Sequence, residues 1–415
     1  MRSTLRIRIV AIACGVLCIG AGTARADVVL DWNAIAIRTM TTPPPAQNPF
    51  FQARFLSITQ LAVFEAVNAV NGGYESYLGT PAAPPGASAE AAAIAAAHKV
   101  LVNYFPAATA ALDADRAASL AAIPNAGKAA GIAVGEAAAL AMIANRANDG
   151  SAPVPPYIPS PGAPGEWHLT PGCVAGALPQ WPTLKPFGIQ DPAEFVPVPP
   201  PGLGSNLYLK DYREVKAVGA IDSTQRPPDR ADVARYYAAI SPSQAVNMAA
   251  RQLSSARGDS LSENAWALAL LNMSINDALI VSFKTKYQYD LWRPVTAIRL
   301  ADTDGNGKTD ADPTWTPFIS TPCFPSYPSN HASGTNSGLE ILRRVYGAAG
   351  HTLTMVHPTL PLTFHYSALK QIADDVDDAR VYGGIHFRFD QVEGGRLGRE
   401  VATEVYKNNL RKTNK

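Results

Sequence analysis

An all-α protein is predicted by three observations on the 415-residue chain. Apolar residues recur every three or four positions over most of its length. Strand-like alternation is almost absent. Helix-breaking residues concentrate in one stretch, with fifteen of the 35 prolines between Ala152 and Gly202. With 47% hydrophobic and 17% charged residues and a mean hydropathy of −0.02, the composition suits a folded chain and not a disordered one. The length accommodates two or three core-sized units.

Taken in order, Arg2, Arg6 and Arg8 precede an apolar run from Ile9 to Gly22, and Ala24-Arg25-Ala26 matches a small-x-small cleavage site. Residues 1–26 are read as a signal peptide that leaves Asp27 as the mature start, so the protein is expected to be exported, to a periplasm or beyond. An uncleaved membrane anchor competes with this reading, but the run is shorter than a span. A lipid anchor at Cys14 or Cys18 lacks a convincing small-residue box before either cysteine. No internal stretch is expected to cross a membrane; the best candidate, residues 129–144, is short and carries Glu136. Without the peptide's four arginines, 31 basic residues face 34 acidic ones, a formal net charge of −3. That balance does not favour nucleic acid. Two cysteines remain, Cys173 and Cys323; an oxidising compartment would let them pair, but spacing alone leaves open whether they meet.

The N-terminal half, residues 27–150, is read as helical over 52–70, 89–104, 107–122 and 128–145. Gly127, Gly131 and Gly135 fall on one helix face and suggest a close approach of two helices. Residues 151–206 form a Pro-rich segment whose Tyr157, Trp167, Trp181 and Phe187 suggest a loop packed across the surface, with structural wrapping favoured over a lid. The C-terminal half, residues 207–415, resumes helical periodicity at 208–220, 231–239, 242–255, 263–283, 329–346, 367–382 and 391–409.

Three segments of that half carry chemistry. Lys286 and Arg293 lie near a helix end, and Pro294 disfavours helical continuation at the residue before it. Alone, two such cations are an ordinary solvated face. In Pro325-Ser-Tyr-Pro328-Ser329-Asn330-His331, Ser329 sits where an N-cap belongs, ahead of Leu339, Leu342 and Val345. A helix start offers converging N–H groups to an oxyanion, although the bland reading is a capped helix with a surface histidine. In Arg380-Val-Tyr-Gly383-Gly384-Ile-His386-Phe-Arg-Phe-Asp390, the glycine pair bends the chain. Asp390 follows His386 by four residues, a spacing that shares one helix face. A carboxylate on one imidazole nitrogen fixes the tautomer and makes the other a better ligand or nucleophile, although such pairs also arise by chance. Together the segments bring three cations, a hydroxyl, a helix start and two imidazoles. If the cations converge they repel one another without an anion, so a convergent cradle is a site for phosphate or a phosphate mimic.

The order Lys-x6-Arg-Pro, Pro-Ser-x-His, Arg-x5-His-x3-Asp resembles the superfamily joining vanadium-dependent haloperoxidases with type 2 phosphatidic acid phosphatases and bacterial acid phosphatases. The motifs span about a quarter of the chain. Trp292 before Arg293, Phe324-Pro-x-Tyr-Pro before Ser329, and His386-Phe-Arg-Phe-Asp390 resemble the haloperoxidase branch. The resemblance implies two packed helical bundles with the site at the end of the second. It implies vanadate as cofactor, with oxygens held by Lys286, Arg293, Ser329, the Asn330 amide and Arg380. His386 would ligate vanadium and His331 would be the acid–base partner. The family usually has Gly at Asn330 and Ser at Ala379. Phe324 stands where family members carry Phe or His, a hint about halide only.

The implied reaction oxidises halide with hydrogen peroxide to hypohalite, with Lys286 polarising the peroxide and a small organic acceptor consuming the product. The alternative is an exported phosphomonoesterase in which His386 attacks phosphorus and His331 protonates the leaving oxygen. A secreted helical binding protein with a vestigial site is the third reading, and the intact set of cations and imidazoles argues against it. A homo-oligomer is left open. Residues 302–310 resemble a calcium loop in part but place Pro313 at the twelfth position, so an Asp/Gly/Asn turn is preferred. His98, His168, His351, His357 and His365 lack ligand-like spacing, and Asp277 is read as a residue that orients a cation of the site.

Overall fold

Short polar side chains set most helix starts. Asp27 caps α1 (Val28–Thr41), accepting from the amides of Val29 and Leu30; Asn48 caps α2 (Pro49–Asn71) and Ser88 caps α3 (Ala89–Tyr104). The computed structural model describes residues 27–42, 47–159 and 162–413, so the expected signal peptide and Cys14 and Cys18 lie outside the described residues. α4 (Thr109–Ala121) and α5 (Lys128–Asn145) complete the N-terminal half. A Cβ on Gly131 would stand 2.2 Å from the Ser88 carbonyl oxygen, and one on Gly135 2.2 Å from that of Ala92. α3 and α5 therefore touch backbone to backbone, the close approach read from the glycine spacing.

The C-terminal half runs α6 (Asn206–Val218), α7 (Pro228–Ala239), α8 (Pro242–Arg257), α9 (Leu261–Tyr289), α10 (Pro294–Arg299), α11 (Asn330–Tyr346), α12 (Leu369–Tyr382) and α13 (Arg388–Asn408). Capping boxes start α8 at Ser241/Gln244 and α9 at Ser260/Glu263. α9 is apolar on all sides and buried from Asn264 almost continuously to Lys286, with α2, α11 and α13 around it. By length and composition α5 and α9 could each span a bilayer; the sequence reading singled out only the former, and the qualifying window of α9 is 94% buried in protein. One apolar core joins the two halves. At its centre Asn33, Asn247 and Asn272 bond side chain to side chain at 2.8–3.0 Å, tying α1, α8 and α9 together.

Three elements depart from the sequence reading. α1 and the six-residue α10 were not among the expected helices. Between α11 and α12 a hairpin forms, β1 (Ala349–Val356) antiparallel to β2 (Thr363–Ala368), with Thr354 opposite His365. Its alternation is real but brief, since only Leu353 and Met355 of β1 turn inward. The fold is helical with this one hairpin among the described residues.

Among its described residues the Pro-rich segment contains no helix longer than the 3-10 turn Pro192–Phe195 before α6 begins, yet it is tightly held. Trp167 and Trp181 are fully buried, and Cys173 is bonded to Cys323 with Cα atoms 5.5 Å apart. Asp277 serves this segment and not the site. Its carboxylate accepts from the amides of Phe187, Gly188 and Ile189 at 2.7, 2.6 and 3.0 Å. The expectation that Asp277 orients a site cation is thereby corrected: nine residues at 1.5 Å per residue place it about 13 Å along α9 from Lys286. Burial pushes its pKa up to about 6, against the three amides and Arg146. Residues 302–310 form an Asx turn, with Asp304 accepting from Asn306 N at 2.7 Å and Thr309 Oγ1 at 2.8 Å.

Candidate active site

Four chain breaks converge. α9 ends at Tyr289, and the next residue, Asp290, adopts φ +47. Trp292 is fully buried and donates to the Tyr208 hydroxyl at 3.1 Å, which anchors the neighbouring Arg293. The loop from Phe324 to Pro328 leads into α11, with Ser329 as its N-cap accepting from Ala332 N at 3.3 Å. α12 ends at Tyr382, and Gly384 at φ +79 turns the chain so that His386 lies inside, just before α13. A Cβ on Gly398 would meet the Ser333 carbonyl oxygen at 2.2 Å, so α13 lies directly against α11 and holds the two motifs together.

The three cations expected to converge do so. Lys286 Nζ donates to the carbonyls of Pro325 and Ser326 at 2.8 and 2.7 Å. Arg293 donates through Nε to Phe324 O and through Nη1 to Ile385 O, both at 2.8 Å. Arg380 Nη1 donates to Tyr237 O at 3.1 Å. The Phe324 ring lies 5.1 Å from Lys286 Nζ and 5.0 Å from the Arg293 guanidinium. No carboxylate forms a salt bridge with any of the three among the described residues. Burial first, and then mutual repulsion, holds Lys286 well below its ordinary pKa and Arg293 at about 9; burial alone brings Arg380 to about 9.

The one carboxylate inside, Asp390, is committed to the imidazole. Its Oδ2 lies 2.7 Å from His386 Nδ1 and accepts from Ser326 Oγ at 2.6 Å and Phe387 N at 3.2 Å. The pair forms as the four-residue spacing suggested, but by another route: His386 precedes α13 and Asp390 sits in its first turn. Burial raises Asp390 to about 6, against Ser326, Lys286 and Arg293. Burial and then the charges of Arg293, Lys286 and Arg380 hold His386 far below its usual range, so the ring is neutral. With Nδ1 protonated and donating to Asp390, Nε2 carries a lone pair toward the cations and accepts from Arg293 Nη1 at 2.9 Å.

Above this cradle opens a cavity of about 400 Å3, reached by Asn330, His331, Arg380 and His386. His331 is half-buried at its floor, with its pKa pressed well down by burial and Arg380. Lys286, Arg293 and Ser329 lie fully buried behind that surface. Three donors there have no partner: Arg293 Nη2, Arg380 Nε and Asn330 Nδ2. Buried donors of this kind are rare unless a ligand completes them. A tetrahedral oxyanion would satisfy them, and a metal oxyanion that also takes an imidazole nitrogen suits this donor set best. Asn330, where glycine is usual, keeps helical backbone as the first residue of α11; its Oδ1 accepts from Ser282 Oγ at 2.6 Å, leaving Nδ2 as an additional donor.

Several contributors were not identified from sequence. Ser326 stood inside a quoted motif as its variable position, yet it supports Asp390. The Tyr237 carbonyl and Phe50, which lines the cavity, come from helices far from the motifs and carried no signal. Of the histidines set aside, His98 pairs with Asp113 at 2.7 Å and His357 caps the hairpin turn through Thr359 N and Leu360 N.

Residues 267–415 match the family model of the VCPO second helical-bundle domain. Vanadium chloroperoxidase of Curvularia inaequalis is 29% identical over 198 residues, 40% of this chain and 31% of that protein, so the match spans under a third of the relative's length. Among solved structures, the first bacterial vanadium-dependent iodoperoxidase superposes with a TM-score of 0.77 at 23% identity, over 94% of this chain and 97% of that one. A holo-type bacterial vanadium-dependent chloroperoxidase gives 0.71 at 18% identity, over 89% and 95%. The fold is therefore that of these helical haloperoxidases, and the likeness read from the three motifs is borne out.

Proposed function

We propose that this chain, which shares its fold and its second helical half with the vanadium haloperoxidases, is an exported vanadate-dependent haloperoxidase that converts halide and hydrogen peroxide to hypohalite. The observation that carries the reading is the cradle: three buried cations without a paired carboxylate, three unpartnered donors, and a neutral imidazole whose tautomer Asp390 holds. The disulfide supports export, because such bonds persist in oxidising compartments.

Bound vanadate would supply a Lewis-acidic centre at which hydrogen peroxide is activated toward halide. Lys286, Arg293, Arg380, Asn330 and the start of α11 would hold its oxygens and offset their charge, each charge-assisted hydrogen bond contributing about 1.5–3 kcal/mol. Lys286 keeps one N–H beyond its two carbonyl bonds, which would be free to donate to peroxide. His386 presents Nε2 as ligand. His331, neutral and facing the cavity, takes a proton from entering peroxide and returns it when product leaves. The Phe324 ring, which lines the cavity against Lys286 and Arg293, shields those cations from water.

The test is purification with and without orthovanadate, followed by monochlorodimedone halogenation with peroxide and chloride, bromide or iodide, beside p-nitrophenyl phosphate hydrolysis. Vanadate-dependent halogenation is expected, and loss of it in His386→Ala. Hydrolysis with no vanadate-dependent halogenation for any halide would overturn the reading in favour of the phosphomonoesterase.

A further inference from the structure

Helix α6 lies outside the stretch that matches the family model and packs in an apolar cluster separate from the main core, together with Trp292, Phe387 and Phe389. Three of its side chains reach segments that carry the site. Tyr208 accepts from Trp292 Nε1 at 3.1 Å, beside Arg293, and its ring stands 5.6 Å from that of Phe387. Glu214 accepts from Arg388 Nη2 at 2.6 Å and from Arg388 Nε at 3.1 Å. Between them Asp211, only 1% exposed, accepts through Oδ2 from the Phe389 amide at 2.7 Å. That amide belongs to the first turn of α13, whose N-cap residue, Phe387, has no side-chain oxygen. First-turn amides have no partner within their own helix. Asp390 answers for one of them, accepting from Phe387 N while it also serves His386 and Ser326. Asp211 answers for another from outside the helix. Its second oxygen, Oδ1, is buried without a partner. A buried carboxylate with one hydrogen bond adds little to stability by itself, so the single bond it makes is the informative one.

We infer that Asp211 is a positioning residue of the site: by holding the Phe389 amide it fixes the first turn of α13, and with it the reach of Asp390 to His386. It acts through the peptide that joins Arg388 and Phe389. Asp390 is the next residue, so rotation of that peptide swings the Asp390 side chain. Little movement is tolerated, because Asp390 Oδ2 has to stay 2.7 Å from His386 Nδ1 and 2.6 Å from Ser326 Oγ. Helix starts fray when their amides lack partners. With the Phe389 amide released, the first turn opens and Asp390 leaves His386. The imidazole is then free to carry its proton on Nε2, the nitrogen that faces the cations, and Arg293 Nη1 meets a donor where it had met an acceptor. Glu214 lacks this effect, because it holds only the Arg388 side chain, which Asp378 also accepts from at 2.8 Å. Only the choice of Nε2 as the ligating atom rests on the haloperoxidase reading.

The test is the imidazole tautomer of His386, read by NMR from the ring-nitrogen shifts of isotopically labelled histidine in vanadate-free protein at one pH, and assigned by its absence in His386→Gln. The wild type is expected to carry the proton on Nδ1. Asp211→Asn, which keeps an acceptor for the amide, should match it. Asp211→Leu, of similar volume and without an acceptor, should show a mixture of both tautomers. By calorimetric titration it should bind orthovanadate about tenfold more weakly, the loss of one charge-assisted hydrogen bond to the ligating ring, with inorganic phosphate unchanged. Glu214→Gln should keep the wild-type tautomer. The wild-type tautomer in Asp211→Leu, equal weakening of both anions, or the same mixture in Asp211→Asn or Glu214→Gln overturns the role of Asp211. Should Asp211→Leu fail to fold, Asp211→Ala carries the same predictions. Absence of orthovanadate binding to the wild type overturns the haloperoxidase reading instead, and the tautomers still decide on Asp211.

Discussion

Asp390→Asn separates two roles that one carboxylate plays in the cradle. As a charge, Asp390 competes with an incoming anion for the three cations. As an acceptor, it holds His386 in the tautomer that presents Nε2. The substitution keeps an oxygen that accepts from His386 Nδ1, 2.7 Å away, and from Ser326 Oγ at 2.6 Å. Both bonds then become neutral, falling from about 1.5–3 to about 0.5–1.5 kcal/mol each. The loss of about 2 kcal/mol in support of the ligating ring corresponds to roughly 30-fold in affinity at about 1.4 kcal/mol per decade. Only an anion that bonds to the imidazole feels that loss. Inorganic phosphate, held by charge and hydrogen bonds alone, should bind as well or better, because a negative charge beside it has gone. Calorimetric titration with orthovanadate and then phosphate reads the two. Equal weakening of both, or no change for vanadate, would refute the assignment of Asp390 as the residue that positions His386.

Arg380→Ala removes one charge-assisted bond and should weaken orthovanadate about 10- to 100-fold, checked by the same titration. Asn330→Gly deletes the unpartnered Nδ2 while keeping the amide; a neutral bond of about 1 kcal/mol predicts roughly fivefold weaker vanadate. Asp277 makes a pH prediction. Its folded pKa of about 6 exceeds the ordinary 3.8, so the native state holds its proton more tightly than the unfolded chain does. Stability should therefore fall as pH rises from about 4 to 6, by up to about 3 kcal/mol at about 1.4 kcal/mol per unit, and stay level above. Urea unfolding across pH 4–7 should show that slope in the wild type and its loss in Asp277→Asn, whatever the variant's absolute stability.

Helices were legible where the apolar repeat was long, and α3, capped by Ser88, and α5, which has no side-chain cap, both appear with the bounds read from periodicity. α1 was not legible because its 14 residues follow directly on the expected signal peptide, although Asp27 caps it. The hairpin escaped because two inward residues in one strand do not rise above helical background. Lys286, Arg293, Arg380, His386 and Asp390 could be assembled from order and spacing because each lies within about one turn of a helix end. Backbone carbonyls cannot be read that way. Those of Phe324, Pro325, Ser326 and Tyr237, which aim the cations, have no signature in side-chain identity. Asp277 shows the reverse error: proximity along one helix suggested a partner, but two and a half turns put it beside another segment.

The stretch that matches the helical-bundle family model begins at residue 267, yet Arg380 is aimed by the Tyr237 carbonyl and the cavity is lined by Phe50. The loop that carries Phe324 is stitched through Cys323 to Cys173, on the far side of that boundary. The motif-bearing portion is thus not a portable module. Excised or grafted alone, it would carry every residue that names its chemistry and lack the scaffolding that makes them act as one.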